Sequence, residues 1–89
     1  MKTLAAEWGK YNIRSNWISP GPIQGTEGVD RLIIQQGLAD QVLERVPLGT
    51  FGQGEDIANA VVYFSSDTGR YVSGAGLAVD GGSQWNRGR

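Results

Sequence analysis

The sequence predicts an α/β fold: parallel strands joined through helices, arranged as the closing third of a doubly wound sheet. Three observations predict it. Residues 18–23, Ile-Ser-Pro-Gly-Pro-Ile, run from an apolar strand edge into a proline- and glycine-bound loop. Residues 71–82, Tyr-Val-Ser-Gly-Ala-Gly-Leu-Ala-Val-Asp-Gly-Gly, hold a second short apolar strand closed by a turn. Helical periodicity fills the interval, and strands joined through a helix pair in parallel with a right-handed crossover. In such sheets ligands bind beyond the carboxyl ends of the strands, which points to residues 20–23. Two strands cannot form a parallel sheet covered on both faces, so an incomplete domain is expected.

Residues 2–8 carry Leu4, Ala5 and Trp8 at helical spacing, and Gly9 is the expected stop. No cap or turn precedes this helix, so the chain reads as cut. Residues 12–19 form the expected first strand. Ile13, Ser15 and Trp17 would face one side, and Arg14, Asn16 and Ile18 the other. Pro20 and Pro22 should stop it, and Gly21, Gly25 and Gly28 make residues 20–28 a loop. Residues 29–46 show two helical stripes, Val29, Leu32 and Ile33, then Ala39, Val42, Leu43 and Val46. Gly37 lies between them, where a glycine costs about 1 kcal/mol in a helix interior, so a break is expected there. Pro47 ends the segment.

Residues 55–65 form the best helix. Glu55 and Asp56 sit in its first turn, where the dipole favours negative charge. Ile57, Ala58, Val61, Val62 and Phe64 give it a broad apolar face. Residues 66–69 are a turn, 76–79 the closing strand, and the tail from Ser83 has no periodicity.

Composition excludes several functions. With no cysteine and no histidine, disulfides, thiolate metal sites, cysteine nucleophiles and the common general base are gone. Absence of cysteine fits an intracellular chain. Eight basic and nine acidic residues give a net charge of −1. The charges are scattered, and Arg87 and Arg89 are too few for a basic arm, so no nucleic-acid footprint is present. No apolar run reaches membrane-spanning length, and no secretory h-region is seen. Neither nucleic acid nor membrane is therefore an expected partner.

The motifs carry more. Asn12-Ile-Arg-Ser-Asn-Trp-Ile-Ser-Pro-Gly-Pro-Ile, then Gly25-Thr-Glu-Gly, then Pro47-Leu-Gly-Thr-Phe-Gly-Gln-Gly-Glu-Asp-Ile-Ala, then Tyr71–Gly82, stand in order along nearly the whole chain. Together they resemble the carboxyl-terminal portion of the short-chain dehydrogenase/reductase family. Within it, Gly-Pro-Ile followed by Gly-Thr-Glu-Gly is most similar to 2,4-dienoyl-CoA reductases of the peroxisomal type. The resemblance implies that residues 1–89 are a partial domain of a Rossmann-like doubly wound sheet, with residues 30–46 as the substrate lid and 83–89 as a tail. It implies NADPH as cofactor, with Pro20, Gly21, Pro22 and Ile23 against the nicotinamide and Thr26 near the diphosphate. Thr26 stands one place later than the family spacing. The resemblance further implies a fatty acyl-CoA substrate, a homo-oligomer of the family type and a peroxisomal setting, although Asn86-Arg-Gly-Arg is not a Ser-Lys-Leu-type address.

Apart from the family, proline fixes φ and a neighbouring glycine lets backbone approach a flat ring. The closing segment is a false lead to a phosphate loop. Gly74-Ala-Gly76 begins a Gly-x-Gly-x-x-Gly pattern, but its sixth place is Val79, and it leads into a strand rather than a helix. Asp80 is expected to bond local backbone.

The family's tyrosine with a lysine four residues on is not in these residues. Ser15, Asp67 and Ala75 follow Tyr11, Tyr63 and Tyr71 at that spacing. The glycine-rich phosphate loop is not here either, so no catalytic residue and no metal ligand is assigned. The function implied is a fragment of an NADPH-dependent reductase. The alternative is a non-catalytic fragment or pseudoenzyme acting only through association. Departures from the family pattern are Ser15 and Trp17 on the first strand, Thr50, and Gly54 at the start of the last large helix. An unpaired buried Ser15 hydroxyl would cost roughly 1–3 kcal/mol. Overpacking by Trp17 would cost about as much.

Overall fold

The computed structural model describes residues 2–85, the Leu32 side chain excepted. Leu32 in the first lid stripe, Met1, Arg87, Arg89 and the rest of the 86–89 tail lie outside the described residues. Two strands, β1 (Trp17–Pro20) and β2 (Gly76–Val79), pair in parallel with Trp17 opposite Gly76 and Pro20 opposite Val79. The expected parallel pairing holds. Helix α1 (Lys2–Trp8) comes first, then a π-helix over Gly28–Ile34, α2 (Ala39–Leu43) and α3 (Gly54–Ser65). The α3 helix packs on both strands, as the connection between them requires.

The first strand is shorter than residues 12–19. The Ile13 N–H bonds back to Trp8 O at 3.3 Å, and residues 14–16 stay outside the ladder because their polar groups bond the segment before β2 instead. Arg14 Nη1 donates to the Gly69 and Val72 carbonyls at 2.9 and 3.3 Å. Asn16 Nδ2 donates to Val72 O at 3.0 Å, and Asn16 Oδ1 accepts the Ala75 N–H at 3.0 Å. Asn16 thus does with its side chain what a ladder residue does with its backbone. The feared Ser15 penalty is absent. Its N–H donates to Ser73 Oγ at 3.2 Å, and no buried side-chain nitrogen or oxygen among the described residues lacks a partner. Pro20 ends β1 rather than standing outside it.

Trp17 is accommodated rather than overpacked. A Cβ built on Gly76, its cross-strand neighbour, would meet the indole at 2.2 Å. The large ring sits where the partner strand has no side chain.

Gly9 does not end the first helix in the left-handed region. A 3₁₀ turn continues over Gly9–Tyr11, and Asn12 takes φ +62°, a conformation asparagine tolerates. The break at Gly37 is real, with φ +71°. The piece before it is a π-helix, marked by the Gln35 N–H bond to Asp30 O, and the Leu38 N–H bond to Ile33 O closes it over Gly37. The expected broad face of α3 divides. Ile57, Ala60 and Phe64 turn inward, while Ala58, Val61 and Val62 are exposed. The tail begins with a 3₁₀ turn over Ser83–Trp85.

Ile23, Val29, Val46 and Ala60 are the buried apolar residues among those described. Three of them, Ile23, Val29 and Val46, lie between β1 and α3, so the tightest packing lies beyond the carboxyl ends of the strands. The Cα radius of gyration is 15.7 Å, against about 12 Å for a compact domain of this length. No residue of either strand is buried, as a partial domain requires.

Candidate cofactor wall at the carboxyl end of the strands

Residues 20–26 leave β1 where parallel sheets bind ligands, and the loop is fixed at three points. The Gly21 N–H donates to Val79 O at 3.0 Å. A Cβ on Gly21 would lie 2.7 Å from Asp80 Cα and Cβ, so only glycine lets the loop pass this close to the end of β2. Next, Gly52 forms a parallel bridge with Ile23. Its N–H donates to Pro22 O at 3.0 Å and its carbonyl accepts the Gln24 N–H at 2.8 Å. A Cβ there would meet Ile23 Cδ1 at 2.7 Å. Finally, Gln53 Nε2 donates to Gln24 Oε1 at 3.1 Å, tying the loop to the start of α3.

That start is itself well held. The Gln53 N–H donates to Asp56 Oδ2 at 2.7 Å, which satisfies a backbone donor just ahead of the helix and places negative charge in its first turn. Gly54, standing where the family commonly has proline, opens the helix without loss of this cap.

The bridge decides which way Ile23 faces. In a parallel bridge Gly52 uses both of its backbone groups on Pro22 and Gln24, so those of Ile23 point to the other side. The Ile23 carbonyl accepts the Thr26 hydroxyl at 2.8 Å. The Ile23 N–H has no acceptor among the described residues. It is an unspent backbone donor in the segment that carries Pro20, exposed, and Pro22, half-buried. Ile23 itself is buried.

Thr26 is exposed, and its hydroxyl also accepts the Val29 N–H at 3.3 Å. It closes the turn into the π-helix, leaving one lone pair. Asp80 bonds local backbone as expected: Oδ1 accepts the Gly82 N–H at 2.9 Å and Oδ2 the Gln84 N–H at 3.2 Å. An apolar groove of about 720 Å³ adjoins the loop, lined by Pro22, Leu48, Phe51, Val79, Asp56 and Asp80 among others. Two anchored carboxylates make it a poor seat for phosphate.

Pro20 at the end of β1 and Gly21, Pro22, Ile23 and Thr26 on the loop after it therefore lie in one segment. Sequence reading missed Gly52, Asp80's contact with Gly21, and Val46, whose Cγ1 would lie 2.7 Å from a Cβ on Gly81. The glycines at 49, 52 and 54 were the available signal.

A family model described as enoyl-(acyl carrier protein) reductase matches residues 1–84. The chain is 46% identical over 82 residues to the peroxisomal 2,4-dienoyl-CoA reductase of Arabidopsis thaliana, covering 91% of this chain and 27% of that protein. A short chain dehydrogenase from Bacillus anthracis superposes with a TM-score of 0.83 at 39% identity, over 99% of this chain and 33% of its own. A putative 2-deoxy-d-gluconate 3-dehydrogenase from Agrobacterium tumefaciens, with bound NADP, gives 0.85 at 43% identity over 94% and 34%. The chain spans between 27% and 34% of the length of these relatives.

Proposed function

The chain belongs to the short-chain dehydrogenase/reductase family, and we propose that residues 20–26 form the nicotinamide-side wall of an NADPH site in a 2,4-dienoyl-CoA reductase. The observation that carries the reading is the unspent Ile23 N–H at the carboxyl end of two parallel strands. A carboxamide oxygen is a suitable acceptor for it. Pro20 and Pro22 offer rigid ring surfaces to a flat heterocycle, and Gly21 holds both in place against Asp80. Thr26 keeps the turn closed and has a lone pair left for a donor. NADPH supplies hydride when bound. This chain's part is to orient the nicotinamide end, an entropic contribution. The phosphate cradle and proton donor belong to residues outside these 89.

The substrate class, an unsaturated fatty acyl-CoA, and a peroxisomal setting in a eukaryote are supported by the Arabidopsis relative. The second reading, action through association alone, is favoured by the exposed Val61 and Val62 on α3.

The test is a chimera. Residues 1–89 replace the matching segment of the Arabidopsis protein, and NADPH oxidation is followed with a 2,4-dienoyl-CoA. The chimera should turn over and bind NADPH, and Gly21→Trp should abolish both. NADPH binding indifferent to Gly21→Trp would refute the wall.

A further inference from the structure

We infer that Asp56 is a positioning residue for the nicotinamide, acting through the backbone of Gly52 on the Ile23 N–H. The inference rests on the cofactor reading above, and it adds to that site a residue that stands on α3, outside the loop.

The connection is made of peptide planes. A planar trans peptide points its C=O and its N–H in opposite directions, and no cis peptide occurs among the described residues. Asp56 Oδ2 accepts the Gln53 N–H at 2.7 Å. The Gly52 carbonyl belongs to the same peptide, so it points away from the carboxylate, and it accepts the Gln24 N–H at 2.8 Å. The Gln24 N–H in turn shares a peptide with the Ile23 carbonyl, which accepts the Thr26 hydroxyl at 2.8 Å. A chain of hydrogen bonds thus runs from a charge on α3 to the cofactor loop. Its first member is charge-assisted, and bonds in such a chain polarise one another.

A second arm sets the donor. The Gly52 N–H donates to Pro22 O at 3.0 Å. The Ile23 N–H lies on the same peptide as that carbonyl, so it points away from Gly52. Proline fixes φ but leaves ψ free. The rotation of the Pro22–Ile23 peptide is therefore left to the bond from Gly52. A Cβ on Gly52 would lie 2.7 Å from Ile23 Cδ1 and 3.7 Å from Asp56 Oδ2. Ile23 is buried, so its methyl has little room to yield.

Asp56 is not simply a charge for the helix dipole. That role needs only negative charge in the first turn, which Glu55 also supplies. The bond to the Gln53 N–H is made by Asp56 itself. Its carboxylate is exposed and reaches the Ile23 donor only through the Gly52 backbone, so what it fixes is direction.

The test uses the chimera in which residues 1–89 replace the matching segment of the Arabidopsis protein, with binding measured by calorimetry. Asp56→Ala frees the Gln53 N–H, and Gly52→Pro removes the donor to Pro22 O. Each should weaken NADPH binding about 2- to 12-fold, the value of one neutral hydrogen bond. Neither should change the affinity for 2′-phospho-ADP-ribose, which carries the phosphates and no nicotinamide. Asp56→Asn keeps an oxygen acceptor and should bind NADPH like the parent. If Gly52→Pro does not fold, Asp56→Ala decides. A damaged helix start would weaken both ligands alike; that result, or NADPH binding untouched by Asp56→Ala, would overturn the inference. A thionicotinamide analogue of NADPH separates the positioning role from the cofactor wall itself. Sulfur accepts hydrogen bonds weakly, so the parent should bind the analogue less tightly than NADPH, and Asp56→Ala should narrow the gap. Equal binding of the two by the parent refutes the carboxamide contact, and the inference with it. A gap that persists unchanged in Asp56→Ala refutes the positioning role and leaves the cofactor wall standing.

Discussion

Replacing Gly76 with alanine places a methyl group where the Trp17 indole already lies. The added carbon would be 2.2 Å from Cε2 and Nε1 and 2.5 Å from Cζ2, against about 3.5–4.0 Å for an unstrained contact. The ring must swing away or the strands must part. Overpacking of this kind costs about 1–3 kcal/mol. At a tenfold change per 1.4 kcal/mol, the amides between β1 and β2 should exchange roughly 5- to 150-fold faster. The Gly21 N–H, bonded to Val79 O at the far end of the pair, is the amide to follow by NMR. Trp17→Ala alone also destabilises, by removing a half-buried ring. The double variant should be less destabilised than the sum of the two, because neighbours in contact are not additive. Strict additivity in the cycle, or unchanged Gly21 exchange in Gly76→Ala, would show that the indole does not occupy the space over Gly76.

Asn16→Ala should lose protection at the Ala75 amide, by a factor of about 5–150 for one unsatisfied donor, while Asn16→Asp keeps the acceptor and loses only the donor to Val72. Gly69→Ala would set a Cβ 2.3 Å from Tyr63 O, so the turn after α3 must open and far-UV circular dichroism should show helix loss. Expressed alone, the chain should aggregate or unfold without a sharp transition, because both strands keep an open edge; a cooperative melt of a dilute monomer would contradict this. The isolated chain should not oxidise NADPH with a 2,4-dienoyl-CoA above a buffer control, since on the proposed reading its loop meets only the nicotinamide end; turnover abolished by Gly21→Trp would show a complete site.

The order of elements and the parallel pairing were legible because they rest on local signals. Proline and glycine punctuate the chain at 20–25, 47–54 and 80–82, and apolar period separates helix from strand. The start of β1 was not legible, since Arg14 and Asn16 are bound to partners 55 to 59 positions away. A π-helix differs from an α-helix by one residue in its bonding, which a short stripe such as Val29–Ile33 does not resolve. On α3, two apolar stripes compete, and the sheet alone decides that Ile57, Ala60 and Phe64 turn inward. For the site, the loop Pro20–Ile23 was visible as a motif. The reasons for Gly21, Gly52 and Gly76 were not, because each glycine is fixed by a residue distant in sequence.

The bridge between Ile23 and Gly52 has a consequence for how such a domain changes over time. Residues 25–45 run between two held points, the Ile23–Gly52 bridge and the 46–48 turn against Gly81 and Gly82, so their length sets nothing in the sheet. For a flexible segment, doubling the length adds only about 0.6 kcal/mol of closure cost. Residues can be inserted, removed or exchanged in that segment while the stems at Pro22, Gln24 and Gly52 stay put. On the proposed reading, the segment over the substrate can then change in length without moving the loop beside the nicotinamide.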